Sequence, residues 1–217
     1  MLFAGLVYSP EAGMGLQSKE LPPATVEIEF TNVKLLPPHW VLKLTADGSG
    51  YFDADRGNPS PEDANQILVG EIHRPVQLSV AFAAKVFETA RQKKLFTFPC
   101  ESHMKVAFQG TKHLSYSGPD GHGECEYNYS KDKDIEALGE SLLAVANTVV
   151  FGARLEKLLQ HDRLGLDKAM EDLVTAVHDK NALEMSAIQA TLQRIATDDQ
   201  VLERARKRAR LLLDQAK

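Results

Sequence analysis

The period of the hydrophobic pattern changes near residue 131, and this change constrains the fold more than any other feature of the chain. In the run Val26–Phe30, apolar and polar residues alternate, which predicts a half-buried β-strand. From Asp134 onward, apolar residues recur every three or four positions, which predicts amphipathic helices. The sequence therefore predicts an α+β protein, in which an antiparallel β-sheet with one packed helix is followed by an all-helical C-terminal region.

The first half of the chain carries the strand signals and one helix signal. Ser79 is the expected N-cap of a helix that runs to about Lys94, and the apolar face of this helix should lie on the sheet. Asp47-Gly48-Ser49-Gly50 provides a turn before a strand that starts at Tyr51. Further strands are predicted at residues 26–31, 40–45, 67–72, 104–109, 112–117 and 124–130, and residues 53–66 should form a surface loop.

The second half is predicted to be a small helical bundle, because the links between its helices are short. A first helix begins near Asp134, and Gly152 is expected to end or bend it. Further helices are predicted at residues 166–177, 183–196 and 200–213. We therefore expect a sheet domain at residues 25–150 and a helical bundle region at residues 151–217, with any boundary near residues 150–163.

Residues 1–24 form a separate N-terminal segment with two interpretations. Met1–Tyr8 is almost wholly apolar, and the first basic residue is Lys19, so the basic region of a standard export signal is missing. The segment is either an N-terminal arm or the remnant of an export signal that starts further upstream. The second interpretation would place the protein in an oxidising compartment.

The two cysteines each have a histidine three residues away and offer the clearest chemical signal. Cys100 and His103 precede a predicted hairpin, and His122 and Cys125 close it. The pattern allows a Cys100–Cys125 disulfide, a zinc site made by all four side chains, or two unrelated buried thiols. A disulfide across a loop of this size would stabilise the fold by about 3 kcal/mol in the chain-entropy model.

The final predicted helix carries a dense group of basic residues. Arg204, Lys207 and Arg208 are the candidates for contact with a phosphate backbone or an anionic surface. The alternative is a solvated helix face whose charges complement the helix dipole. The net charge of the whole chain is −5, so no global positive field favours nucleic acid.

Two stretches are similar to uncharacterised exported bacterial proteins with an α+β core. One is the meander that runs from Lys105-Val106-Ala107-Phe108 through the turn Gly118-Pro119-Asp120-Gly121 to Asn128-Tyr129-Ser130. The other is Leu159-Gln160-His161-Asp162-Arg163-Leu164-Gly165-Leu166-Asp167. The resemblance covers about a fifth of the chain and implies an envelope or periplasmic setting. It implies no activity and no ligand.

The sequence favours a non-enzymatic exported domain that binds a protein or a cell-envelope component, located in the periplasm or secreted. No dinucleotide fingerprint, nucleophile elbow or metalloprotease motif is present. The first alternative is a metal-dependent or thiol-based activity at Cys100, His103, His122 and Cys125, with zinc as the cofactor. The second is a cytoplasmic protein whose basic last helix contacts nucleic acid. No other cofactor is expected. No membrane span is expected either, since no apolar run approaches the roughly 20 residues that a spanning helix needs.

Overall fold

The computed structural model describes residues 22–57 and 69–215 and contains a six-stranded sheet. The strands lie in the order β4-β3-β2-β1-β5-β6, and every neighbouring pair is antiparallel. Their bounds are β1 Thr25–Thr31, β2 His39–Thr45, β3 Ser49–Ala54, β4 Ile72–Gln77, β5 Thr111–Gly118 and β6 Gly121–Tyr127. The predicted α+β class and the helical C-terminal region are confirmed.

Within these two ranges, five α-helices accompany the sheet. They are α1 Val80–Gln92, α2 Lys133–His161, α3 Gly165–His178, α4 Gln189–Thr197 and α5 Glu203–Gln215. Two short 3₁₀ turns, Lys94–Phe96 and Met185–Ile188, lie after α1 and before α4. The hydroxyl of Ser79 accepts a hydrogen bond from the backbone N–H of Phe82, so the predicted N-cap of α1 is confirmed.

One face of the sheet is buried and the other is open to solvent. On β1, Val26, Ile28 and Phe30 are at most 2% exposed and pack into the core formed with α1 and the first part of α2. Trp40 on β2 stacks on Phe30 with the ring centroids 5.3 Å apart. The alternating pattern therefore directs every second side chain of β1 away from the core.

Helix α2 contributes to two hydrophobic cores. Buried residues such as Leu142, Val149 and Ala153 belong to the core under the sheet, whereas Leu155 and Leu158 belong to the core of the helical half. By length and composition alone α2 could cross a membrane, but 56% of its most apolar window is buried inside the protein. The predicted boundary region at residues 150–163 lies mostly inside this continuous helix.

The expected strand at residues 104–109 is wrong. Residues 101–110 have no regular secondary structure and reach β5 only at Thr111. The side chain of Asn128 takes the place of a ladder partner, because it accepts from the N–H of Gln109 and donates to the carbonyl of Ala107. The alternation of Met104, Val106 and Phe108 reflects exposed side chains rather than a half-buried strand, since all three are at least 36% exposed.

Several predicted bounds also differ from the structure. The strand predicted at residues 67–72 ends where β4 begins, at Ile72. Residues 67–68 of that predicted strand and residues 58–66 of the predicted loop lie outside the described residues. Gly152 does not end α2, because the helix continues to His161. The expected helix at 183–196 begins only at Met185, because Glu184 adopts a left-handed conformation with φ 58°. It is then divided into a 3₁₀ turn and α4 at Ile188, whose backbone is not helical, with φ −124° and ψ 18°. The N-terminal arm or export signal was expected at residues 1–24, and residues 1–21 of it lie outside the described residues.

Candidate functional site

Cys100 and Cys125 form a disulfide bond between the segment before β5 and the edge strand β6. Their α-carbons are 5.8 Å apart, and both residues are buried. The segment is further tied to β6 by Glu101, whose carboxylate accepts hydrogen bonds from the backbone N–H groups of Asn128 and His103. The bond from Asn128 is the main cause that lowers the pKa of Glu101.

The other members of the predicted zinc set do not join the two sulfur atoms. His122 lies three positions before Cys125 on β6, so strand alternation puts it on the opposite face, where it is exposed. His103 is exposed on the irregular segment. Within residues 22–57 and 69–215, no group of three or more His, Cys, Asp or Glu side chains is placed to hold a metal ion. In this oxidised form neither sulfur is a thiolate that could act as a ligand or nucleophile.

The basic residues of α5 are largely engaged in ion pairs. Arg204 Nε lies 2.7 Å from Asp167 Oδ2, and Arg208 Nη1 lies 2.5 Å from Asp167 Oδ1. Asp167 on α3 therefore pairs with two of the three basic residues predicted to contact phosphate, although the side chain of Arg204 stays 69% exposed. Lys207 is exposed and makes no ion pair with any residue that the structure describes.

The open face of the sheet carries an unusual density of ionisable side chains. We define it by the ionisable residues that point away from the helices or flank the strand ends. They are Glu27, Glu29, His39, Lys43, Asp53, Asp55, Glu71, His73, His113, His122, Glu124 and Glu126. The only lysine among them, Lys43, lies 3.4 Å from Glu27. Carboxylates therefore outnumber the single lysine on this face.

Histidines and carboxylates alternate across the middle strands of this face. His39 Nε2 lies 3.0 Å from Glu29 Oε1, and His39 Nδ1 lies 3.1 Å from Asp55 Oδ2. Glu29 Oε2 is 3.9 Å from His113 Nδ1, and His113 Nε2 is 3.4 Å from Glu124 Oε2. We call this sequence, Asp55–His39–Glu29–His113–Glu124, the His–carboxylate row.

The register of the sheet explains why these residues meet. On the open face Glu29 is the direct cross-strand partner of His113, and the neighbouring Thr31 is the partner of His39. His113 is also paired with Glu126 on β6. Sequence reasoning detected the alternation on β1 but missed the row, because nothing local shows that β1 lies between β2 and β5.

A second histidine–carboxylate pair lies towards the β4 edge of the same face. His73 Nδ1 is 2.6 Å from Asp53 Oδ1, and His73 Nε2 is 3.6 Å from Glu71 Oε2. The hydrogen bond with Asp53, helped by Glu71, raises the pKa of His73 above its ordinary value of 6.5 although desolvation opposes the change.

A shallow depression lies at the β1–β5–β6 part of the open face. Its volume is about 270 Å³, and it is lined by Glu29, Thr31, Thr111, His113 and Glu126. The carboxylates and hydroxyls that line it can accept hydrogen bonds from a cationic ligand. The side chain of Glu29 is 45% exposed and that of Glu124 is 73% exposed, so water screens the charges and the arrangement suits binding better than catalysis.

No protein-family model matches this chain, and no curated protein matches it significantly.

Proposed function

We propose that this chain is an exported binding domain whose open sheet face receives a cationic segment of a partner protein. The observation that carries the proposal is the His–carboxylate row on a face that lacks unpaired basic side chains among the described residues. A lysine or arginine side chain that reaches the 270 Å³ depression would find Glu29 and Glu126 on its walls.

The buried disulfide supports the exported location. Disulfides form and persist in oxidising compartments and are rare in the cytosol. The Cys100–Cys125 bond joins two buried residues. Thiol alkylation of intact cells before lysis tests the location, because export predicts that both cysteines resist alkylation until a reductant is added. Rapid alkylation without reductant would contradict it.

The binding proposal is tested by titrating the isotope-labelled protein with a lysine-rich peptide at low salt and following backbone amide shifts. The shifts should map to β1, β5 and β6. The variant Glu29→Gln/Glu126→Gln should bind about two- to thirtyfold more weakly, since each lost carboxylate removes about 0.2–1 kcal/mol of charge attraction.

The control variant Glu171→Gln/Asp199→Asn removes two exposed carboxylates from the helical half and keeps the open face intact. It should bind the peptide as the native protein does. Equal weakening in the two variants, or shifts confined to the helices, would show that only net charge attracts the peptide.

A further inference from the structure

Two segments that emerge at one end of the sheet expose apolar side chains. The β1–β2 loop exposes Val33, Leu35 and Leu36 by 82%, 48% and 38%. The irregular segment before β5 exposes Met104, Val106 and Phe108 by 52%, 36% and 59%. We call these six residues the apolar tip.

The two segments are neighbours in the fold. Thr31 at the end of β1 is the cross-strand partner of Thr111 at the start of β5. Just beyond this pair, the side-chain amide of Asn32 donates to the carbonyl of Gln109 at 3.2 Å. The loop and the segment therefore leave the sheet side by side from the same end.

Hydrogen bonds and the disulfide fix the backbone of both segments. In the loop, the N–H of Asn32 donates to the carbonyl of Pro38 at 2.7 Å, and the N–H of Leu35 donates to the carbonyl of Asn32 at 3.0 Å. The other segment is held by the Cys100–Cys125 disulfide at its start. The backbone of both segments is thus held in place while their apolar side chains stay exposed to solvent.

Basic residues are interleaved with the apolar tip. Lys34 lies between Val33 and Leu35, and Lys105 lies between Met104 and Val106. Both lysines are exposed, and neither pairs with a carboxylate in the part of the chain that the structure describes. Arg56 adds a third exposed cation next to Gly57, which packs against Leu36 and Pro38.

The carboxylates near this end are already engaged. Glu101 accepts backbone hydrogen bonds from Asn128 and His103, and Asp55 contacts His39. These hydrogen bonds leave both carboxylates charged, but the three cations Lys34, Lys105 and Arg56 outnumber them. The tip is therefore apolar with a small net positive charge, whereas the open face of the same sheet is negative. Exposed apolar side chains flanked by lysines are the composition that inserts into the interface of an anionic bilayer, where the lysine ammonium groups reach the headgroups.

We propose that the apolar tip docks the protein onto an anionic lipid surface. In this orientation the strands extend away from the membrane, and the open face of the sheet is accessible from the side to its own ligand. This site is separate from the His–carboxylate row, so either proposal can fail without the other.

Flotation with vesicles tests the docking site. The full chain should float with vesicles made of equal parts phosphatidylcholine and phosphatidylglycerol, and at least tenfold less with pure phosphatidylcholine. The variant Leu35→Ser/Phe108→Ser should lose at least tenfold in partitioning to the anionic vesicles. Inorganic phosphate at the ionic strength of the buffer should not displace the protein, because the apolar contacts are absent from free phosphate.

Two matched comparisons make the test specific. The control Val80→Ser/Leu211→Ser removes side chains of comparable exposure, 65% and 51%, from α1 and α5 and should float within twofold of the native protein. The tip variant keeps the apolar stretch Met1–Tyr8, so binding through that stretch would persist and overturn the proposal. A native protein that does not float, or that instead self-associates through the tip in sedimentation, would also overturn it.

Discussion

Glu156 on α2 binds Arg74 on β4 through both carboxylate oxygens, at 3.2 and 2.7 Å. Oε1 also accepts a hydrogen bond of 2.7 Å from the hydroxyl of Thr191 on α4. One carboxylate therefore connects the sheet, the central helix and the helical half. Burial by itself would raise the pKa of Glu156, but the hydrogen bonds from Arg74 and Thr191 outweigh burial and lower it below 4.5.

We predict that Glu156→Gln lowers the free energy of unfolding by about 1–3 kcal/mol at neutral pH, because Arg74 loses its charged partner. A group with a depressed pKa stabilises the fold above its unfolded pKa, and this contribution is lost as the pH falls through the folded pKa. The difference between native and variant in urea unfolding should therefore shrink at pH values well below 4.5. A difference that is the same at neutral and acidic pH would contradict this role of the Glu156 charge.

The disulfide should contribute strongly to stability. Replacing both cysteines, as Cys100→Ser/Cys125→Ser, should lower the free energy of unfolding by about 3 kcal/mol. For a chain of this size the melting temperature should fall by about 6–12 °C. Thermal unfolding of the native protein with and without reductant provides the comparison, since reductant should destabilise the native protein and leave the variant unchanged. If reductant lowered the melting temperature of both proteins equally, it would not act through the Cys100–Cys125 bond.

Gly152 should resist replacement because of its neighbour rather than its backbone. A β-carbon at this position would lie 2.3 Å from Ile188 Cγ2, although α2 is regular there. We predict that Gly152→Ala destabilises the protein by about 1–2 kcal/mol in chemical denaturation, since overpacking outweighs the better helix propensity of alanine.

Two further variants test the explanation of Gly152. Adding Ile188→Ala to Gly152→Ala should give a double variant more stable than the sum of the two single effects, because the new methyl group fills the space that Ile188 vacates. The control Gly70→Ala meets no atom within 4 Å and should leave stability unchanged. If the effects of Gly152→Ala and Ile188→Ala on stability were strictly additive, the contact between residues 152 and 188 would not be the cause of the destabilisation.

The pKa of His73 should depend on Asp53. The variant Asp53→Asn should lower the pKa of His73 towards 6.5 in a histidine NMR titration, because the main cause of the upward shift is removed. A raised folded pKa stabilises the protein fully below the unfolded pKa and ceases to do so as the pH rises through the folded pKa. The exposure of the pair keeps the effect on stability small. Asp199→Asn, in the helical half, should leave the titration curve of His73 unchanged.

Local signals in the sequence predicted much of the architecture. Alternation identified β1, and Ser79 with the apolar face behind it identified α1, because both signals depend on neighbouring residues only. The same reasoning failed at Met104–Gln109, where alternation comes from exposed apolar residues. It was also wrong that the helix could end at Gly152, where the close neighbour is Ile188, a residue distant in sequence.

The candidate site could not be predicted from local sequence patterns either, because its residues are far apart in the chain. Glu29, His39 and His113 look unrelated in the sequence, and they meet because β1 pairs with β2 on one side and β5 on the other. A period of two determines which residues share a face of a strand. It does not determine which strands become neighbours, because that order depends on how the whole core packs.

The sequence alone therefore determined the class of the fold, the inward face of its strands and the two cysteines that are able to pair. Those properties follow from hydrophobic periodicity and residue type, which act over a few residues. Only the tertiary structure decided that the cysteines are bonded, that Asp167 holds Arg204 and Arg208, and that the apolar tip gathers at one end of the sheet. Each of these depends on contacts between residues far apart in the chain, and such contacts form only when the complete core is buried.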